Sequence, residues 1–533
     1  GPYGPPPSRA HASHAATLTV TGKTQQLYSL RRETAAQAST ASHQQMPLRT
    51  GRSPALFARA KAAATSNATA PHAAPLTAPS VPSATPRVGF NGMADSAAIC
   101  PYFGGCAPPD MALATSPTEV LQGVNTSFTF YSTSGAVLAG PFNSQVFYGI
   151  PNPPNNCDPA GPFTSDPRAF YDPNTGLFWT ALLQVEGNSF GIGANCPNTS
   201  LYWIANINVT TGVMHIYSFD MTLGGTVNAG ADYTQFGFNK DVIALSGNMF
   251  DFSTGNFDFA ETLFASKHAM ENGLAVTANA FTQLTAGGIL VDTVQPIDTM
   301  TPTNTDPGVE YLVNSFNIFG DPFGDDCLFT ACHDFVVWAY DPATTSLYGT
   351  IVESSVGNPT YVTPPNADQP GCIQCVETLD TRITGTPVYS VGGGLPLISF
   401  SLDTSVSNGG PGFGSIVPGI LWGQLSVEHG PGFVFASFYQ DGYLAFAADR
   451  TASFGAMMQD KHGKLVMVFD TMGEAINPSI MIVSRAASDP LGTIGNASFI
   501  VKGPSPTFNF RWGDYEAASY DGFAKNHIWV ASE

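Results

Sequence analysis

The feature that most limits the fold is a unit that recurs beyond about residue 90: a run of aromatic and β-branched residues, a polar reversal, and a second such run. AFYDPNTGLFWTALL, LYWIANINVTTGVMHIYSF, MFDFSTGNFDFA, FVVWAYDPATTSLYGTIV and FGAMMQDKHGKLVMVFD are examples. Asp, Asn, Pro, Thr and Gly supply the backbone angles of the reversal, and bulky residues suit pleated strands, so each unit reads as a β-hairpin. Helical patterning is scarce. AETLFASKHAMENG, from Ala260 to Gly273, is the one credible helical turn in this part, and it also reads as a strand followed by a loop. Successive sheet units lie roughly 40 to 70 residues apart, which fits propeller blades carrying insertions better than a sandwich. The expected class is all-β.

Composition narrows the setting. Of 533 residues, 43% are hydrophobic and only 11% charged, so solubility rests on Ser, Thr, Asn and sugars, as in extracellular proteins. The eight cysteines, Cys100, Cys106, Cys157, Cys196, Cys327, Cys332, Cys372 and Cys375, are even in number. Close spacings such as Cys100 with Cys106 and Cys327 with Cys332 point to small disulfide loops and an oxidising compartment. Sequons at Asn67, Asn125, Asn198, Asn208 and Asn496 offer glycan acceptors. No apolar run is long enough to span a bilayer, and the opening GPYGPPPS lacks a signal-peptide core, so a processed, secreted form is expected.

Composition breaks near Phe90, dividing a basic Ala/Thr/Ser/Pro-rich extension, 1–90, from a body, 91–533. The extension holds nine Lys and Arg against Glu33 alone, for +8; the body holds eleven against thirty-nine, for −28, which together give the stated −20. Such asymmetry suits an arm that lies on its own body, on a neighbour, or on an acidic polymer. A disordered linker or propeptide is the plainer alternative, with Arg31-Arg32 as a processing site. Leu18 and Val20 alternate with threonines as in a strand, which with Leu27 and Leu30 makes a candidate donor strand for a neighbouring subunit.

SDPRAFYDPNTGLFW, FNKDVIALSGNMFD, LDTRITGTPVY, INPSIMIVSR and RWGDYEAASYDG resemble motifs of secreted, sialidase-like β-propeller proteins, a largely uncharacterised group with a C-terminal RWGDY motif. The resemblance covers roughly Gly105 to Glu533. It implies a propeller of seven four-stranded blades whose last sheet is closed by strands from both ends of the body. RWGDY is then a latch: Trp512 fills the space between blades, Gly513 permits a tight backbone, and Arg511 with Asp514 satisfies buried polar groups. The competing reading makes Asp514 or Tyr515 a catalytic acid or nucleophile near the axis.

Sialidases bind a carboxylate with three arginines, and Arg168, Arg382 and Arg511 lie in the matched motifs. No intact S-x-D-x-G-x-T-W box occurs, and no Tyr and Glu pair can be assigned. Asp166, Asp241, Asp334 and Asp514 are candidate acids for a cluster around the axis, or else turn caps. The loop GDPFGDDC, with Asp321, Asp325 and Asp326, is a candidate calcium clamp; no other cofactor is required. Cys372 and Cys375, spaced C-x-x-C, read better as a disulfide than as half of a zinc site, and His333 as a structural residue. The acidic body would repel nucleic acid.

Three functions follow as expectations: an extracellular assembly protein whose arm joins subunits into an oligomer or polymer; a glycan hydrolase or lyase using Asp166, Arg168, Asp241, Arg382, Arg511 and Asp514; or a glycan-binding propeller without turnover.

Overall fold

The computed structural model describes residues 10–32, 49, 51–75, 86–94, 108–159, 161–187, 195–352, 357–409, 415–447, 449–495, 497–507 and 510–533. The extension contributes strands β1 (Ala10–Val20) and β2 (Lys23–Gln26) and a helix, α1 (Pro54–Ala64). The body is a succession of antiparallel meanders. The first is β3 (Ala112–Thr115), β4 (Glu119–Val124), β5 (Ser127–Ser132) and β6 (Val137–Asn143); the second is β7 (Thr164–Asp172), β8 (Leu177–Glu186), β9 (Thr199–Asn208) and β10 (Val213–Asp220). The third is β11 (Ala229–Phe238), β12 (Val242–Asp251), β13 (Phe257–Ser266) and β14 (Val276–Ala286), extended by β15 (Ile289–Leu290). In the fourth, β16 (Gln295–Pro296) pairs with β18 (Glu310–Ser315), followed by β19 (Phe335–Asp341) and β20 (Ser346–Ile351). Between them β17 (Asp298–Thr299) runs parallel to both the third and fifth sheets.

After a small hairpin, β21 (Ala367–Gln369) and β22 (Cys372–Val376), comes the fifth meander: β23 (Val388–Ser390), β24 (Leu397–Ser407), β25 (Ile416–Gly430) and β26 (Phe433–Leu444). The sixth is β27 (Ser453–Gln459), β28 (Leu465–Gly473), β29 (Ile476–Arg485) and β30 (Ser498–Val501), and a last hairpin, β31 (Ala517–Tyr520) and β32 (Ile528–Ala531), ends the series. The fold is an all-β propeller. Its described strands form six meanders and the hairpin, with no seventh meander among them.

The turns work as their residues dictate. In β7–β8 the Asp172 carboxylate accepts the Asn174 N–H and the Thr175 hydroxyl, and Gly176 takes the left-handed conformation. Asn208 and Gly212, and Asp251 and Gly255, repeat this device. Strands such as β8 and β28 are buried almost throughout, because neighbouring sheets cover both faces. The stretch Ala260–Gly273 ends β13 and then makes one helical turn, Lys267–Glu271.

The extension folds back on its own chain. β1 adds to β14 (Leu18 opposite Ala278, Val20 opposite Val276), and β2 adds to the outer strand β10. Leu18 and Val20 pack on the second and third sheets, while Leu27 is fully buried and Leu30 lies beside it against the first and second. The expected donor strand therefore pairs within the chain: β14 and β10 present open edges beside the segment that fills them.

The last hairpin stands between the first and sixth sheets, where a seventh blade would lie, and among the described residues no strand from the start of the body pairs with it. Ala517, Trp529 and Ala531 pack on Leu113, Val120 and Tyr131, and Ala518 and Val530 on Ala456, Val468 and Ile482. Ser519 Oγ accepts the Thr115 N–H at 2.9 Å, and the Asp514 N–H reaches Asp110 Oδ1 at 2.9 Å. Trp512 packs over Ala367, Val376 and Met472, between the small hairpin and the sixth sheet.

Candidate functional site

At or before each meander's first strand stands a non-glycine residue with positive φ: Asp110, Asp166, Tyr233, Thr293, Leu379 and Phe454, all between 48° and 60°. At Asp166, Tyr233 and Phe454 the ladder slips in register, as at a bulge. Side chains hold these strained positions. The Asp166 N–H donates to Asn125 Oδ1 at 2.7 Å, that of Thr293 to Asn248 Oδ1 at 2.7 Å, and that of Phe454 to the Asp403 carboxylate at 3.0 Å. The pivots turn the adjoining side chains toward one hub.

Three arginines meet there. Arg168 donates from Nε to the Thr234 carbonyl at 2.9 Å, and its guanidinium lies 3.3 Å from the centre of the Tyr515 ring. Arg382 makes a two-point pair with Asp380, at 2.8 Å for each bond, and lies 4.7 Å from the centre of the Tyr233 ring. Arg511 pairs with Asp514. The Tyr233 and Tyr515 rings meet edge-on at 5.7 Å, and the Tyr515 hydroxyl donates to the Pro167 carbonyl at 2.9 Å.

The charges are unevenly matched. Asp380 is held below the ordinary carboxylate range: burial opposes this, but Arg382 prevails. Burial, reinforced by Asp232 and Asp514, pushes Asp166 up to about 7, and burial with Asp514 and Asp166 raises Asp110 well above its ordinary value. Burial also raises both tyrosines, leaving their phenols neutral. Arg168 is 3% exposed, has no carboxylate ion pair among the described residues, and leaves Nη2 without a hydrogen-bond partner. Arg168 also lines a cavity of about 20 Å³, with Met111, Leu113, Asp298 and Glu516, which has room for one water and none for a sugar.

Of the residues singled out in the sequence, Asp166, Arg168, Arg382, Arg511 and Asp514 come together at this hub. Asp241 does not; it lies half-exposed in the β11–β12 turn, with Lys240 Nζ 3.9 Å away. Asp334 is buried ahead of β19, where its carbonyl accepts the Tyr361 hydroxyl. The members missed were Asp110, Asp232, Tyr233, Asp380 and Arg49. A signal existed: SDPR, ADYTQ, VDTVQ and LDTR each place an Asp two or three residues before Arg or Gln.

The candidate calcium clamp, Asp321, Asp325 and Asp326, is not brought together as a set. Asp326 accepts the N–H groups of Leu328, Phe329 and Thr330, so its carboxylate closes a turn. His333 takes its place beside Asp321 and Asp325, and the three offer ligand atoms within 4.8 Å of one another. Disulfides join Cys157 to Cys196, Cys327 to Cys332, and Cys372 to Cys375; Cys100 and Cys106 lie outside the described residues. Asn198 is exposed and Asn208 half-buried. Asn67 and Asn125 are buried, with amide nitrogens donating to Phe329 and Pro108 carbonyls, which leaves no room for a glycan in this fold. Asn496 lies outside the described residues. No helix among the described residues is long and apolar enough to cross a membrane.

Fold and hub together define a β-propeller with a buried, arginine-rich centre. No family model and no curated protein matches the chain. Among solved structures, it is similar to the Trypanosoma rangeli sialidase in complex with sialic acid, at 8% identity and a TM-score of 0.32, covering 71% of this chain and 54% of that one. It thus spans about half the sialidase's length. An exo-β-1,3-galactanase from Phanerochaete chrysosporium matches at 10% identity and a TM-score of 0.27, covering 70% and 76%. The WD40 domain of SCAP from fission yeast matches at 10% and 0.29, covering 75% and 77%.

Proposed function

We propose that this chain is an extracellular carbohydrate-recognising propeller that takes a carboxylate-bearing sugar at the mouth of its hub. The observation that carries this reading is Arg168, a buried cation with no carboxylate partner among the described residues, standing with Arg382 between two tyrosine rings. Asp298 lies within electrostatic reach of Arg168, but burial raises its carboxyl well above the ordinary range, so it is a weak counter-charge, and a ligand carboxylate would supply a stronger one. Tyr233 and Tyr515 are buried with guanidinium groups against their rings, so only an opened hub would present those rings to a sugar's apolar side. Burial raises both phenols and so disfavours a tyrosine nucleophile; it does not bear on the hub carboxyls.

Titration calorimetry with a sialic-acid or glucuronic-acid oligosaccharide tests this. The unmodified protein should bind the acidic sugar and not its neutral counterpart, and Arg168→Met should weaken binding by about tenfold or more, the scale of one charged hydrogen-bonding group. Equal affinity for acidic and neutral sugars would refute the reading, and release of reducing ends would favour a hydrolase. Assembly through the extension would require the β1–β14 and β2–β10 pairings to be exchanged between subunits, and light scattering at rising concentration tests that.

A further inference from the structure

Part of the extension lies across the hub. Arg49 stands beside Asp232, and its carbonyl accepts from Arg382 Nη2 at 3.4 Å. Its guanidinium is 5.7 Å from the centre of the Phe250 ring. Gly51 fits so closely on Ile318 that a Cβ there would come within 2.0 Å of its side chain. Ser53 then caps α1 by accepting the Leu56 N–H, and Pro54 opens the helix.

The helix is anchored by buried Lys61, whose Nζ is 2.7 Å from Glu377 Oε1 and 2.9 Å from Thr378 Oγ1, and by Phe57 and Ala60 against Leu328. Beyond it, the Asn67 amide donates to the Phe329 carbonyl. The chain then pairs with the end of β24, the Ser407 N–H donating to Pro71 O at 2.8 Å and Ala73 N–H to Ser407 O at 3.0 Å. Arg49 acts on Asp232, Arg52 on Asp292, and Lys61 bonds Thr378, the residues that precede the pivots Tyr233, Thr293 and Leu379.

We infer that residue 49 and residues 51–73 form a built-in plug that holds the hub closed until an acidic polymer displaces it. This rests on the carboxylate-sugar reading above. The plug carries Arg49, Arg52, Arg59 and Lys61 and no acidic residue, against a body of net −28. A polyanionic glycan competes for those cations as it offers its own carboxylates to Arg168 and Arg382, so displacement and binding are coupled. The apparent affinity is reduced by the fraction of molecules that are closed.

The experiment is hydrogen–deuterium exchange on the full chain and on two variants, Gly51→Val, which collides with Ile318, and Lys61→Met, which removes the anchor. Thermal melting checks that both stay folded. Amides at 232–235 and 380–384 should exchange about tenfold faster in either variant while β8 is unchanged, and affinity for the acidic oligosaccharide should rise by a similar factor. If Gly51→Val does not fold, Lys61→Met and a salt titration of the unmodified protein are read in the same way. Faster exchange confined to residues 49 and 51–73, with the hub amides unmoved, overturns the plug. A hub that opens without gaining affinity leaves the plug standing and defeats the carboxylate-sugar reading.

Discussion

At the scale of single residues, the hub is held by pairs that cannot lose one partner cheaply. Asp380 and Arg382 are both buried and meet through two hydrogen bonds. Asp380→Asn keeps the shape but leaves the guanidinium facing a neutral amide, and loss of one member of such a pair costs roughly 3–5 kcal/mol. We expect the unfolding free energy to fall by that amount, read as a lower denaturant midpoint with the slope unchanged. A loss below about 1 kcal/mol would place the pair in a far wetter setting than its burial implies. Arg168, Arg382 and Arg511 were legible as a set because each sits in a motif with a neighbouring Asp or Gly. The pivots were not: a positive φ at Asp166 or Leu379 is imposed by the ring of sheets and leaves no mark in side-chain pattern. Arg49 was hidden for a related reason, since nothing local predicts that it will reach Asp232.

At the scale of elements, the hairpins were readable because their turns are chemically explicit. Asp172, Asn208 and Asp251 each accept N–H groups of the residues that follow, and a glycine completes each reversal. Partner choice was not readable. The Thr-Leu-Thr-Val alternation in β1 is that of a strand with one apolar face, but whether that face meets its own chain or another is decided by which edge lies within reach. The structure pairs it with β14. Leu18→Asp would put a charge against the half-buried face at a cost of about 1–3 kcal/mol, a local rather than global loss. Exchange should accelerate at β1 and along the β14 edge while the melting temperature of the whole chain stays within a few degrees. A collapse of the entire third sheet would instead make β1 an integral strand.

For the whole molecule, the buried acids set the pH response. Burial raises Asp166 to about 7, and Asp292 and Asp470 each to about 6, from an unfolded value near 3.8. Between about pH 4 and 7 the folded chain therefore binds more protons than the unfolded chain, so stability falls as pH rises through that window and levels off above it. Opposing groups act at lower pH. Asp251, held near 2 by its Ser253 and Thr254 partners, and Asp380, lowered by Arg382, contribute stability that is lost as pH drops below about 4. Calorimetry should show a higher melting temperature at pH 5 than at pH 8. Asp166→Asn should flatten that difference, since an acid raised to about 7 loses up to roughly 3 kcal/mol of stabilisation between pH 5 and pH 8. A profile that rises toward pH 8 would mean the hub carboxylates are ionised and hydrated.

The joint between Asp110 and Asp514, and that between Thr115 and Ser519, each unite residues 404 positions apart. A ribosome making this chain must therefore finish every blade before the ring can shut, and until then the faces of the first and sixth sheets that receive the wedge stand bare. The nascent protein is an open arc through most of its synthesis, so its yield should depend on what shields those two faces during translation.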